Sequence, residues 1–430
     1  MKVRCPFSAR LAGAERHNRR MTTDLPASPS SAFQRLAWSN LAAQTAEQVS
    51  LAAVPIVAVL VLQAGPGEIG LLATFQTLPF LLFSIPLGLL ADRISRQRLM
   101  VWAETLRAAS LLGLLAALLL GGLSLPVMAL LGFVGALGTV AFSVAAPALV
   151  PSLVQREGLA RANGWLELAR SAAYAGGPAL AGALVAWAGA SSAFVLAAVL
   201  SVSAVALLFG IAEPARAPVA PRHPVLDLKD GVHLVWQHHL LRPILLTAVA
   251  WNLAWFVLQA AYVPYAVRVL GLSAAVVGVS LAIYGVGMML GALLAPRIVA
   301  AMPFGRAIQM GPAMSVIASA VMLATWFFPS GLLVGLSFFL FGFGPILWTI
   351  TSLTLRQTVT PNGLLGRVSA LFLTVNMGVR PLGAALGGFV GAQWGERACL
   401  VVSLLLFAVQ LWIILQSPVS NLKHLPDTVN

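Results

Sequence analysis

Apolar runs of bilayer-spanning length, divided by short polar breaks, recur along this chain. They fall near 36–62, 68–90, 99–120, 124–150, 164–188 and 191–212, and again near 243–267, 273–296, 307–328, 331–354, 369–392 and 397–416. Each is close to the ~20 residues that a spanning helix needs. Backbone groups in lipid must pair within their own segment unless a barrel closes, and the period-2 alternation of a barrel is absent. The pattern therefore predicts an all-α integral membrane protein with twelve transmembrane helices.

The polar breaks organise the chain. Residues 1–34 are polar and basic and lack the apolar stretch of a signal peptide, which predicts a disordered cytoplasmic tail; Met21 offers a second possible start. Residues 213–242 separate two sets of six segments. The first part, "EPARAPVAPRHP", is too rich in proline for a helix. The second sets Val225, Leu228, Val232, Val235 and Leu240 at roughly helical spacing, as expected of an amphipathic helix on the inner membrane face. Residues 417–430 form the other tail. The sets 35–212 and 243–416 also repeat each other: Gly88 and Gly291 stand 203 residues apart, and so do Pro178 and Pro381. A six-helix unit used twice is a transporter arrangement.

Composition and charge narrow the class. Of the 430 residues, 59% are hydrophobic and 9% charged, against about a quarter charged in a soluble domain; mean hydropathy is +0.91. The net charge of +13 comes from basic residues scattered singly, not from the continuous patch that nucleic acid requires. Instead it orients the chain. Of the 26 Lys and Arg residues, all but Arg107, Arg170, Arg268, Arg380 and Arg397 fall in tails and loops that are cytoplasmic if both termini are inside. Cys5 and Cys399 lie at opposite ends and define neither a disulfide framework nor a thiolate metal site. His223, His233, His238 and His239 lack supporting Cys, Asp or Glu spacing and read as solvated interfacial residues. No metal and no cofactor is called for.

"GLLADRISRQRLM" (88–100), between the second and third segments, resembles the loop signature of the major facilitator superfamily. Gly88, Leu90, Ala91, Asp92, Arg93 and Arg96 match; Ser95 replaces a glycine and Gln97 a basic residue. "PALVPSLVQREGLARANG" (147–164), "DLKDGVHLVWQHHLLRPIL" (227–245) and "RQTVTPNGLLGRVSAL" (356–371) are similar to the bacterial subgroup of enterobactin exporters and macrolide efflux pumps. "GGPALAG" (176–182) resembles the Gly-Pro antiporter motif of drug exporters, with Ala181 in place of a glycine. The resemblance covers residues 35–416. It implies two six-helix bundles, a multi-pass protein of the bacterial cytoplasmic membrane, and export of a small amphipathic drug, macrolide or siderophore in exchange for protons.

Candidate site residues follow. Asn40, Gln44, Glu47 and Gln48 make one polar stripe on the first segment, which by resemblance lines the central cavity. A carboxyl at the mid-membrane position of Glu47 is disfavoured in its charged form and is a candidate carrier of the coupled proton. Trp251 and Trp255 either stack a flat substrate or simply pack; Asn252 and Gln259 add amides to the same segment. Arg380 is expected to face the interior and to meet an anionic substrate group, a carboxylate, or carbonyls opened beside Pro381. Glu104 and Arg107, and Glu167 and Arg170, are pairs three apart on single helix faces. With Gly88, Asp92, Arg93 and Arg96 they are expected to form an inner gate, in which Asp92 sits at a helix N-terminus and bonds Arg96. Gly177, Pro178 and Gly182 leave the fifth segment thin, for tight packing or for movement.

The leading expectation is thus a monomeric secondary transporter whose partners are a small molecule, protons and the bilayer. No phosphate-binding loop of the G-x-x-x-x-G-K-[ST] type appears. The alternatives are a membrane-embedded enzyme or a non-transporting sensor. An enzyme would need His or carboxylates clustered at one depth, and the sequence spreads them instead.

Overall fold

A computed structural model describes residues 31–154, 159–213, 232–361 and 364–426. Ten of its segments are long and apolar enough to cross a membrane. The last of them contains two helices. A further helix falls outside that set because glycines, Pro178 and charged residues dilute its apolar sequence. Twelve spanning helices result among the described residues. In chain order they are α1 (Ser31–Val61), α2 (Pro66–Arg93), α3 (Arg96–Leu119), α4 (Leu125–Leu153), α5 (Leu159–Ala188), α6 (Ala190–Phe209), α7 (Leu241–Pro264), α8 (Ala274–Ala301), α9 (Phe304–Ala324) and α10 (Gly331–Val359). The helical stretch Leu365–Leu415 breaks at Gly395, whose φ of 79° suits glycine, giving α11 (365–394) and α12 (396–415).

Local chemistry sets the boundaries. Pro66 opens α2, where its missing N–H costs nothing. The Ser95 hydroxyl caps α3 by accepting from Arg98 N at 3.2 Å, and Ser273 does the same for α8 with Val276 N at 3.4 Å. Beyond Pro264, α7 widens into one π turn, Tyr265–Val269. The segment after α12 is ordered: its carbonyls at Leu422 and Lys423 accept from Gly305 N at 2.7 Å and Phe304 N at 3.2 Å, satisfying the start of α9. The expected amphipathic helix falls mostly outside the described residues. Its described end is a short helical stretch at 232–237, with Val235 and Leu240 buried and Val232 exposed.

Helices α1–α6 and α7–α12 form the two bundles. Even helix counts place the start of α1, the end of α6, the start of α7 and the end of α12 on one face, here the linker face. Toward the opposite face a single hydrophobic cluster runs through both halves, from Val57 and Phe194 to Tyr262 and Phe338. Toward the linker face the core divides in two. One part, with Leu36, Met100 and Leu149, belongs to the first half; the other, with Leu241, Ile308 and Leu355, belongs to the second. The halves therefore join at one face and diverge at the other.

Small residues make the joined face possible. α5 crosses α8 where a Cβ on Gly182 would lie 2.7 Å from Gly278 Cα, and α2 crosses α11 where a Cβ on Gly70 would lie 2.5 Å from Gly388 N. Approaches this close leave no room for a side chain. Arg268, on the π turn, donates across the halves to the carbonyl of Gln63, the one non-glycine residue of positive φ among those described.

Candidate functional site

A cavity of about 340 Å³ lies between the halves at mid-depth. Its first-half wall carries Glu47, Gln48, Gln76, Thr77, Arg107, Thr139 and Tyr174. Its second-half wall carries Trp251, Asn252, Trp255, Gln259, Tyr284 and Arg380.

The first-half wall is built around one guanidinium. Arg107 Nη1 lies 2.8 Å from Glu104 Oε1, and Nη2 lies 3.7 Å from Glu47 Oε2. Arg107 also donates to the Ala43 carbonyl at 3.0 Å and to Thr139 Oγ1 at 2.9 Å. One side chain thus ties α3 to α1 and α4. Glu104 is fully buried while Glu47 keeps 20% of its side chain open to the cavity. Two carboxylates share this one contact cation, so the second negative charge is met only at longer range, by Arg380 and Arg170, and uptake of one proton removes it.

The second-half wall is aromatic. Trp251 and Trp255 stack at 5.4 Å with planes 10° apart. Trp255 in turn meets Tyr284 at 5.2 Å and Phe341 at 5.2 Å. Asn252 Nδ2 donates to the Ala248 carbonyl of its own helix at 2.9 Å. Arg380 on α11 stands with its Cζ 5.7 Å from the Phe256 ring.

The polar stripe of α1 divides. Glu47 and Gln48 line the cavity; Asn40 and Gln44 do not. Asn40 is buried and its amide reaches the Leu166 carbonyl of α5 at 3.4 Å, because the linker-side half of α1 packs into its own bundle. The pairs Glu104–Arg107 and Glu167–Arg170, expected to share one inner gate, stand apart in this structure. The first pair is internal to the bundle and turns to Glu47. The second, at 2.5 Å, stays on one turn of α5 with side chains 59% and 44% exposed, where the halves diverge. Neither pair crosses between halves.

The loop at 88–98 lies at the linker face. Arg93 is exposed, and Arg96 donates to the carbonyl of Ala148 on α4. The side chain of Asp92 lies outside the described residues. The α3 N-terminus receives Glu213, whose Oε2 accepts from Ser95 Oγ at 2.6 Å and Gln97 N at 3.1 Å; Gln97 Nε2 donates to the Leu208 carbonyl at 2.9 Å. Both departures from the loop signature, Ser95 and Gln97, therefore bind the end of α6. A Cβ on Gly88 would meet nothing within 4 Å. Gly177 abuts Gln48 of α1, and Pro178 and Gly182 form the crossing with α8.

Sequence reasoning missed Tyr174, Tyr284, Gln76, Thr139 and Glu213. A signal existed for Tyr174: Glu167, Arg170, Tyr174 and Pro178 recur every three or four residues along one helix face. Gln76 and Thr139 are single polar residues in apolar helices, without periodicity to mark them, and Glu213 reads as the first residue of a linker. His238, read as solvated, accepts through Nδ1 from Leu240 N at 3.2 Å and Leu241 N at 3.4 Å, at the start of α7. Burial, with the neighbouring His239 second, lowers its pKa from 6.5.

Residues 36–384 match the family profile of the Major Facilitator Superfamily. An enterobactin exporter, EntS, of Citrobacter koseri is 28% identical over 324 residues, which are 74% of this chain and 75% of that one. A bacterial homologue of the iron transporter ferroportin superimposes in its inward-facing state with a TM-score of 0.72 at 19% identity, covering 90% of this chain and 98% of the other. In the outward-facing state the TM-score is 0.59 at 18% identity, with the same coverage.

Proposed function

The chain belongs to the major facilitator superfamily, and on the premise that it is a multi-pass membrane transporter we propose that it exports a small amphipathic organic molecule from the bacterial cytoplasm in exchange for protons. The observation that carries this reading is the composition of the central cavity. Glu47 and Arg107 occupy one wall, backed by the sealed Glu104 in a carboxylate–guanidinium–carboxylate relay, and an aromatic stack occupies the other.

The distribution of Lys and Arg makes the linker face cytoplasmic. The divided core then corresponds to an inward-open state, in keeping with the better superposition on an inward-facing neighbour. Substrate enters from the cytoplasm and lies against Trp251. The halves close at the linker face and part at the Gly182–Gly278 and Gly70–Gly388 crossings, releasing it outside. Glu47 loads a proton on the outside and delivers it inside. It is the relay's carboxylate in the cavity, and its ionised form competes with Glu104 for Arg107. An export direction is also supported by the enterobactin exporter to which the chain is similar.

The test uses purified protein in liposomes with an imposed pH gradient and three amphipathic fluorophores as probes: ethidium, rhodamine 6G and fluorescein. Proton-driven accumulation of at least one is expected, and collapse of the gradient should abolish it. Accumulation that survives collapse of the gradient excludes proton exchange; equilibration without accumulation of any probe excludes the pump. A reporter fused after Asn430 should be active only if cytoplasmic; activity confined to the periplasmic reporter inverts the assigned orientation.

A further inference from the structure

The charges around the cavity do not balance by pairing. Arg107 takes Glu104 and Glu47, and Arg170 takes Glu167. Arg380 forms no ion pair among the described residues, and its Nε is buried without a hydrogen-bond partner. A guanidinium stays charged at any accessible pH, and at this depth one without a contact partner is costly; Glu47 acts on it only at longer range. Its surroundings are aromatic, with Phe256 beside it, so the opening to the cavity is where an anion can reach it.

The neighbouring aromatic stack is also unfinished. Trp255 is buried against Tyr284, Phe338 and Phe341. Trp251, at the other end, is only partly buried and lines the cavity, and its indole N–H is buried with no acceptor. A planar ring added on Trp251 would extend a stack of the offset geometry that aromatic pairs favour. An oxyanion on that ring would supply what Arg380 lacks. A cationic ligand is the weaker fit, since the cavity carboxylate, Glu47, already lies in the field of Arg107, Arg380 and Arg170.

We propose that the cavity is a site for small planar aromatic anions, with the ring laid on Trp251 and a carboxylate or similar oxyanion held by Arg380. This deepens the transporter reading and rests on it. The two fail separately, because equilibrium binding needs neither a gradient nor a direction.

The test is equilibrium dialysis of the full chain in nanodiscs against four probes: 2-naphthoate, the neutral 2-naphthalenemethanol, the cationic 2-naphthylmethylammonium, and cyclohexanecarboxylate, an anion without an aromatic ring. We expect saturable binding of 2-naphthoate at least about tenfold tighter than any of the others, the factor that one charge-assisted hydrogen bond supplies. Arg380→Gln should bring 2-naphthoate to within about threefold of the alcohol, with the alcohol's affinity unmoved, and Arg380→Lys should keep most of the preference. Trp251→Leu should weaken naphthoate and alcohol alike. The proposal is overturned if the alcohol or the ammonium binds as tightly as 2-naphthoate, if Arg380→Gln keeps the anion preference, or if 2-naphthoate shows no saturable binding. Should Arg380→Gln not elute as folded protein, the ranking of probes on the parent and on Arg380→Lys decides. Charge-selective binding without gradient-driven pumping would leave this site standing and remove only the export reading.

Discussion

Arg107 Nη2 of α3 lies 3.7 Å from Glu47 Oε2 of α1, while its Nη1 holds Glu104 at 2.8 Å. One cation is thus shared between a carboxylate open to the cavity and one sealed inside the bundle. Glu47→Gln removes the proton-binding group but keeps shape and hydrogen-bonding capacity. Gradient-driven accumulation should be lost, whereas downhill exchange of the same probe should continue. Pumping with unchanged pH dependence in this variant would transfer the proton role to Glu104 or Glu167.

The buried half of the relay is expected to be structural. Arg107→Met leaves Glu104 buried without its cation and should cost about 3–5 kcal/mol, whereas the double change with Glu104→Gln should recover most of it. Thermal unfolding in detergent, arranged as a double-mutant cycle, measures the difference. Additive losses would show that the two side chains do not act as a pair.

Closure at the face opposite the linker depends on the α5–α8 approach. Gly182→Leu places a branched side chain where Gly278 Cα would already be 2.7 Å from a Cβ. The variant should fold but populate a conformer open at that face. A membrane-impermeant maleimide applied there should label Gln259→Cys in the Gly182→Leu background and not in the parent. Equal labelling of both would show that the crossing does not seal the cavity.

At the linker face, Gly88 has open space around it, which closure of the divergent halves would fill. Asp92→Asn, in the adjoining loop, should insert and fold normally and lose most transport, because the contacts that stabilise the inward-closed conformer are weakened. Normal transport at equal expression would reduce the loop to an orientation signal.

His238 offers a pH dependence outside the membrane. Its neutral Nδ1 accepts from the first backbone N–H groups of α7, and folding lowers its pKa from 6.5. The folded state therefore binds the proton less well than the unfolded chain. The cap's contribution is complete above pH 6.5 and is lost as pH falls through the lowered folded-state value. By analogy with helix caps it is worth about 0.5–2 kcal/mol. His238→Ala should be less stable than the parent at pH 8 by that amount, and the gap should close at pH 5. A gap that widens on acidification would have the wrong sign.

Hydropathy indicated the helical nature of the spans, because lipid allows a backbone few solutions, and only together with the short polar breaks did it give their number, since glycines, Pro178 and charges dilute α5. The loop residues Gly88 to Arg96 fixed the family. The repeat at Pro178 and Pro381 pointed to two like halves. Helix-to-helix placement was another matter. A lone polar residue in an apolar helix carries no record of the partner it faces, so Glu47 and Arg107, 60 positions apart, could not be joined from the sequence. Asn40 and Gln48 share a stripe on α1, yet only Gln48 reaches the cavity, because the diverging halves bury one end of the helix in its own bundle and present the middle to the other. Ser95 and Gln97 stand out in sequence only as mismatches to a signature; packing against the end of α6 gives them Glu213 and the Leu208 carbonyl as partners. The bilayer imposes the spans through local backbone chemistry that any window of sequence displays, whereas the pairing of charges depends on which faces the close glycine crossings bring together.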